Sequence, residues 1–253
     1  MNTLAGILFF WLRVLPFRIS LPLSQLIILL FLLRYRREIE ENYRIFNKRD
    51  RKFWIRNGLE LGRNSALMLQ LGKRDKGILD GIRVRGEERL REAYRKGRGV
   101  IVVSLHFGPF EVLPQLFAYK GYKVAITVDH QKSRWLEKGL VSLRSYRGVR
   151  LIDSIPQMID VLRKGFILGF LLDNTHRVEK VFRHSLFKDF GVIKTPFILS
   201  KLTKAPIFPM IIYKNSIRPE VEIGDPLNFK DNPIPFFEPF IKRNPEEWVW
   251  FGK

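Results

Sequence analysis

The 253-residue chain contains no cysteine, which excludes disulfides, a thiolate nucleophile and any zinc or iron–sulfur centre held by sulfur. Histidine is scarce, with four residues; His176 and His184, near Asp173 in sequence, lack the spacing of a metal-ligand pair. No metal is therefore expected. Glycine-rich phosphate fingerprints of the dinucleotide or P-loop type are missing, and so is the Gly-x-Ser-x-Gly elbow of serine hydrolases. Long apolar runs are missing too. The stretches Leu4–Leu12 and Ile19–Leu33, separated by Arg13, Pro16 and Arg18, fall short of the roughly 20 residues of a spanning helix. A secretory leader would be followed by a small-residue cleavage site, but the basic Arg34-Tyr-Arg-Arg37 stands there instead. Acidic side chains are outnumbered, 25 against 45 basic, for a net charge of +20. A surplus of that size calls for a polyanionic partner: nucleic acid, an anionic membrane surface or a phosphorylated substrate.

The remaining residues choose among these partners. The phenylalanines fall inside apolar runs rather than between lysines and arginines, unlike a base-stacking surface. No nucleic-acid motif accompanies the charge, so nucleic acid is not expected. An apolar N-terminus followed by a basic cluster suits the anionic cytoplasmic leaflet, where each Lys or Arg contributes roughly 1 kcal/mol. Residues 1–33 are read as a membrane-associated helical segment, re-entrant or interfacial, with a helical hairpin packed on the rest of the chain as the alternative. Residues 34–253 are read as one domain, large enough to bury a core.

Along that domain, Glu38–Leu71 is expected to be mostly helical, with Tyr43, Phe46, Phe53, Leu59, Leu67 and Leu71 at helical intervals. Ile82–Arg85 suggests a short strand and Glu87–Lys96 a helix. Strand-like runs then recur at Val100–Leu105, Lys123–Val128, Val149–Ile152, Phe166–Leu172 and Ile207–Tyr213, with Val221–Ile223 as an edge strand. Helix-like segments fall between them at Phe110–Tyr119, Arg134–Tyr146, Pro156–Lys164 and Thr195–Thr203. This alternation predicts an α/β fold, a mainly parallel open sheet flanked by helices. Such sheets bind ligands beyond the carboxyl ends of their strands, where His106 and Asp173 both fall.

The densest chemistry lies in Gly99-Val-Ile-Val-Val-Ser-Leu-His106-Phe-Gly-Pro-Phe-Glu111. A buried strand ends, a histidine follows, and Gly108 and Pro109 suit the start of a helix. Glu111, placed in the first helical turn, can accept a bond from one imidazole nitrogen and leave the other as a base toward a hydroxyl. Its position also matches a capping-box glutamate serving only the first helical amides.

The block Gly97 to Glu111 closely resembles the active-site motif of bacterial lipid A biosynthesis acyltransferases, the late or secondary acyltransferases of the lysophospholipid acyltransferase superfamily. Pro245-Glu-Glu-Trp-Val-Trp-Phe251 is similar to that family's C-terminal Pro-Glu-Gln-Trp-x-Trp signature. Phe170-Leu-Leu-Asp173-Asn174, Phe190-Gly191 to Pro196, Leu199 through Pro209, and Glu41-Asn42-Tyr-Arg-Ile-Phe46 resemble further family segments in the same order. The resemblance implies a membrane-associated O-acyltransferase. It would move a fatty acyl group from an acyl carrier protein or acyl-CoA thioester to a hydroxyl of a glycolipid, phospholipid or lipid A-type acceptor. His106 would be the general base, Glu111 its orienting carboxylate, and no covalent acyl-enzyme would form. Arg144 is the implied oxyanion or substrate-binding group, Asp173 an orienting group, and Gly108 a further candidate. No cofactor is implied beyond the acyl donor, and the implied location is the cytoplasmic face of the inner membrane. Pro109-Phe110 replaces the family's usual Asn-Trp, an arginine near Asp129-His130 is missing, and Asn174 replaces glutamine; these departures bear on the acceptor. The competing expectation is a catalytically silent basic protein of the same fold that binds lipid or nucleic acid.

Overall fold

A computed structural model describes residues 12–46, 49–71, 75–128, 134–173, 180–184, 188–215 and 218–251. Among the described residues, a helical stretch at 12–14 is followed by helices α1 (Phe17–Leu32), α2 (Arg36–Tyr43) and α3 (Phe53–Gln70), and a short α4 (Asp75–Leu79). The α/β part follows as β1 (Arg83–Arg85), α5 (Glu87–Arg95), β2 (Val100–Ser104), α6 (Val112–Tyr119), β3 (Val124–Thr127), α7 (Arg134–Arg144), β4 (Arg150–Ile152), α8 (Ile155–Arg163) and β5 (Ile167–Leu171). A hairpin of β6 (Lys180–His184) and β7 (Lys188–Val192) comes next, then α9 (Thr195–Thr203), β8 (Ile207–Asn215), β9 (Arg218–Ile223) and α10 (Ile234–Arg243).

Seven strands form one sheet in the order β1-β9-β8-β2-β5-β3-β4. Every neighbouring pair is parallel except β8 and β9. The mainly parallel sheet expected from the alternating pattern is therefore present. Val221–Ile223 is not an edge strand, however: β9 starts at Arg218 and is covered by β1, whose three residues end the sheet. The hairpin β6–β7 and helix α10 are additions that the hydropathy pattern did not mark.

Alternate side chains of the central strands enter two cores, as a sheet covered on both faces requires. Ile101, Val103 and Leu105 join Leu168, Phe170, Ile207 and Ile211 in one. Val100 and Val102 join Val112, Leu113, Phe117, Ile167 and Met210 in the other, under α6.

The helix α1 packs against α3 at close range. A Cβ on Gly62 would lie 2.5 Å from the Gln25 Cα, and one on Gly58 would lie 2.6 Å from a Leu29 methyl. Glycine at these two positions lets the helices approach, and larger side chains would separate them. The face that α1 turns inward carries Ser20 and Ser24. Its outward face carries Ile19, Leu23, Leu26 and Leu30, all exposed, with Leu30 at 60 %. Spacings of four, three and four residues make these one continuous stripe. No single helix among the described residues is long and apolar enough to cross a membrane; α1 and the following turns together form a pair bent by 87°.

Candidate active site

The register of the two central strands builds the site. β2 and β5 are parallel neighbours with Ser104 opposite Leu171, and the Leu172 N–H still donates to the Ser104 carbonyl at 2.8 Å. The residues two positions beyond each strand end, His106 and Asp173, therefore emerge side by side at the carboxyl edge of the sheet. His106 Nδ1 lies 2.8 Å from Asp173 Oδ1. The His106 backbone N–H also donates to the same carboxylate, at 3.0 Å to Oδ1 and 3.2 Å to Oδ2. Asp173 is buried at 4 % exposure, whereas the His106 side chain is 33 % exposed. A carboxylate at Nδ1 holds the proton there and leaves Nε2 as the lone-pair nitrogen. Nε2 has no hydrogen-bond partner among the described residues.

Glu111, expected at the imidazole, is engaged elsewhere. It stands one residue before α6 as the N-cap, not in the first turn, and its side chain makes no cap bond. Its carboxylate receives Arg144 Nε at 3.1 and 3.0 Å and Arg144 Nη2 as well. Both side chains are largely covered, 14 % exposed for Glu111 and 20 % for Arg144. The backbone at Arg144 is held in turn by the buried Gln115, whose Nε2 donates to the carbonyls of Leu143 and Arg144 at 3.2 and 2.8 Å. Gln115 lies inside the otherwise apolar α6, and no motif marked it.

Gly108 is a hinge between elements. Its φ of +57° is left-handed, and a Cβ would lie 2.3 Å from the Ile212 carbonyl, so only glycine fits. Its N–H, a candidate oxyanion donor, instead donates to the Glu247 carbonyl at 3.0 Å. That bond belongs to a C-terminal strap, residues 245–250, lying along the histidine loop. Phe107 and Trp248 form an antiparallel bridge, and the Val249 N–H donates to the His106 carbonyl at 3.0 Å. The Trp248 indole N–H donates to Asp173 Oδ2 at 2.8 Å.

A small apolar pocket of about 90 Å³ opens beside Glu111 and Arg144, next to the His106 loop but not lined by His106 or Asp173. Its floor is the β2–β5–β3 face at Val102, Ile126, Ile167 and Gly169, and its roof is Leu113 and Phe117 of α6. Glu111 and Arg144 line it, as does Phe110, whose ring stands edge-on to the imidazole at 5.1 Å. Phe110 is half of the Pro-Phe pair by which the sequence departs from its resemblance.

Among the described residues no group of His, Asp and Glu could hold a metal ion. Asp129, His130, Asn174 and His176 lie outside the described residues.

Residues 62–253 match the family model for bacterial lipid A biosynthesis acyltransferases. The chain belongs to this family. Comparison with curated proteins gave no match. The match takes in the sheet, the His106 loop, Asp173 and the strap, and family membership makes the chain an acyltransferase of lipid biosynthesis.

Proposed function

We propose that the protein is a membrane-associated O-acyltransferase carrying a fatty acyl group from an acyl carrier protein or acyl-CoA thioester to a hydroxyl of a glycolipid or lipid A-type acceptor. The single observation that carries this reading is the His106–Asp173 pair at 2.8 Å beside an apolar pocket. The acyl chain lies in the pocket, with its thioester carbonyl near His106. Nε2 takes the proton of the acceptor hydroxyl as its oxygen attacks the carbonyl carbon. The carbon–sulfur bond then breaks, and the imidazolium returns the proton to the leaving thiolate. The products are the ester and the free thiol, with no acyl group left on the protein. Asp173 stabilises the imidazolium between these two transfers, and base assistance of this kind contributes about 10²–10⁴-fold. Arg144, held by Glu111 at the pocket, supplies positive charge near the developing oxyanion.

The outward stripe of α1 supports the membrane association. Ile19, Leu23, Leu26 and Leu30 face out, and the exposed Arg18, Arg34, Arg36 and Arg37 flank them. Apolar contact with a bilayer surface and attraction to anionic headgroups then act together, which supports the reading of a site at the cytoplasmic face of the inner membrane. Leu26→Glu with Leu30→Glu is expected to lower binding to anionic phospholipid vesicles at least about tenfold, since each leucine loses roughly 1.5–3 kcal/mol of burial. Undiminished sedimentation with vesicles would remove this face from the membrane contact.

The chemistry is tested by transfer from radiolabelled acyl-CoA and acyl carrier protein into a bacterial lipid extract, with wild type and His106→Ala in parallel. A labelled lipid made by wild type and reduced at least about 10²-fold in the variant is the expected result. Equal labelling by both proteins would overturn the base assignment.

A further inference from the structure

We propose that Trp248 is a positioning residue for the His106–Asp173 pair, acting through the indole hydrogen bond to the Asp173 oxygen that does not face the imidazole. The inference rests on the acyltransferase reading for its kinetic consequence, but its structural content stands apart from that reading. The two oxygens of Asp173 face different side chains, Oδ1 lying 2.8 Å from His106 Nδ1 and Oδ2 accepting the Trp248 Nε1–H at 2.8 Å, while the His106 backbone N–H reaches both at 3.0 and 3.2 Å. The backbone N–H bond to Oδ2 is the longer one, at 3.2 Å, so the indole at 2.8 Å is the shorter hold on that oxygen. It resists rotation about Cβ–Cγ and so steadies the direction from which Nδ1 is held. The indole suits this task because it only donates and does not titrate, so the bond persists wherever Asp173 is ionised.

Trp248 is itself fixed from several directions. It is 3 % exposed and meets Trp250 edge-on at 4.8 Å between ring centres. Asn57 on α3, fully buried, donates through Nδ2 to the carbonyls of Glu246 and Trp248, both at 2.8 Å. Asn42 on α2 donates to the Trp250 carbonyl at 2.6 Å. The strap is thus anchored to the N-terminal helices on one side and to both flanks of His106 on the other. A tryptophan kept only for bulk would not need its N–H aimed at the carboxylate that holds the histidine.

The test is Trp248→Phe, which keeps most of the ring and removes the donor. The expected result is a kcat about 10–100-fold lower, the effect of losing one hydrogen bond to a charged group. KM for the acyl donor should stay within about threefold, because the pocket is untouched. The acid limb of kcat/KM against pH should also move, which a purely structural role would not cause. In an Asp173→Asn background the same substitution should cost less than about threefold further, since the partner is already altered. Independent, fully multiplied losses, or an unmoved pH profile, would overturn the proposal. One proton resonance provides a readout that needs no turnover and no variant at Trp248. The Trp248 indole N–H should exchange slowly with solvent and should shift in Asp173→Asn. Rapid exchange, or no shift, would refute the hydrogen bond even in a protein that folds normally. If wild type transfers no acyl group, the function assignment fails, and the indole resonance still decides whether Trp248 holds Asp173.

Discussion

Asp173 and Glu111 both stand at the carboxyl edge of the sheet near His106, yet they are held by different kinds of donor. Asp173 receives the imidazole, a backbone N–H and an indole N–H. Glu111 receives a guanidinium through two of its nitrogens. Donors without a full charge orient a carboxylate and leave its negative charge to act on the ring beside it, whereas a bidentate guanidinium cancels that charge. Asp173 is therefore equipped to stabilise an imidazolium, and Glu111 to fix an arginine. Sequence spacing alone inverts the two, because Glu111 lies five positions after His106 and Asp173 sixty-seven.

The comparison is broken most directly at Asp173. Asp173→Asn is expected to lower kcat about 10³–10⁴-fold with the fold intact, because an amide can no longer enforce the Nδ1–H form of the ring or support its positive charge. A loss under tenfold in steady-state acyl transfer would return the orienting role to another group.

Glu111→Gln should have a smaller effect, about tenfold on turnover. Arg144 keeps one acceptor and its backbone clamp from Gln115, so it is loosened rather than freed. The sharper measurement is the pair of variants with Arg144→Gln. If Glu111 acts through Arg144, the double variant should be no slower than Arg144→Gln alone. A further large loss from Glu111→Gln in that background would show that its carboxylate has a task of its own.

The sheet was legible in the sequence to the extent that each strand is a short apolar run. Val100–Ser104 and Ile167–Leu171 are such runs, and proline at the start of α9 marked its beginning. The helix α10 was hidden because Pro235 and Pro239 read as breakers, although Ile234, Phe237 and Ile241 hold one buried face. Pro235 costs nothing in the first turn, where its N–H would lack a partner in any case. Lys180–His184 and Lys188–Val192 alternate too weakly to announce a hairpin. Strand order was the decisive unknown. Nothing in a linear pattern says that β5 rather than β3 lies beside β2, and that adjacency brings Asp173 to His106. The signal that could have found it was Asp173 itself, a carboxylate directly after a buried strand, because ligands gather at that edge. The inward serines of α1 were visible as residues, but their burial depends on the glycines of α3, which no local periodicity links to them.

A third carboxylate, Glu247, extends the comparison to a group with no cation of its own at hydrogen-bond distance among the described residues. Both of its oxygens accept the Lys214 backbone N–H, at 3.1 and 3.0 Å, while the Lys214 ammonium is turned to Glu60 at 2.8 Å. Burial pushes the Glu247 carboxyl up to about 7, with Glu60 and Glu246 adding repulsion and the Lys214 N–H opposing the shift. The sign follows from linkage. An acid whose pKa is higher folded than unfolded holds its proton more tightly in the native state, so its contribution to stability is greatest below the ordinary glutamate range. That contribution falls as pH rises toward 7 and is constant above it. Glu247→Gln removes the titration while keeping an oxygen for the Lys214 N–H. The difference in unfolding free energy between variant and wild type should thus grow in the variant's favour from pH 5 to pH 8, by up to about 3 kcal/mol. Urea unfolding of both proteins at the two pH values measures it, and the other titrating groups cancel in the difference. Parallel pH dependences would mean that Glu247 stays ionised throughout. Turnover should respond least of all, because the hydrogen bond between Glu247 and the histidine loop runs through its backbone carbonyl, which the substitution leaves in place, as it does the contacts of Trp248 and Val249.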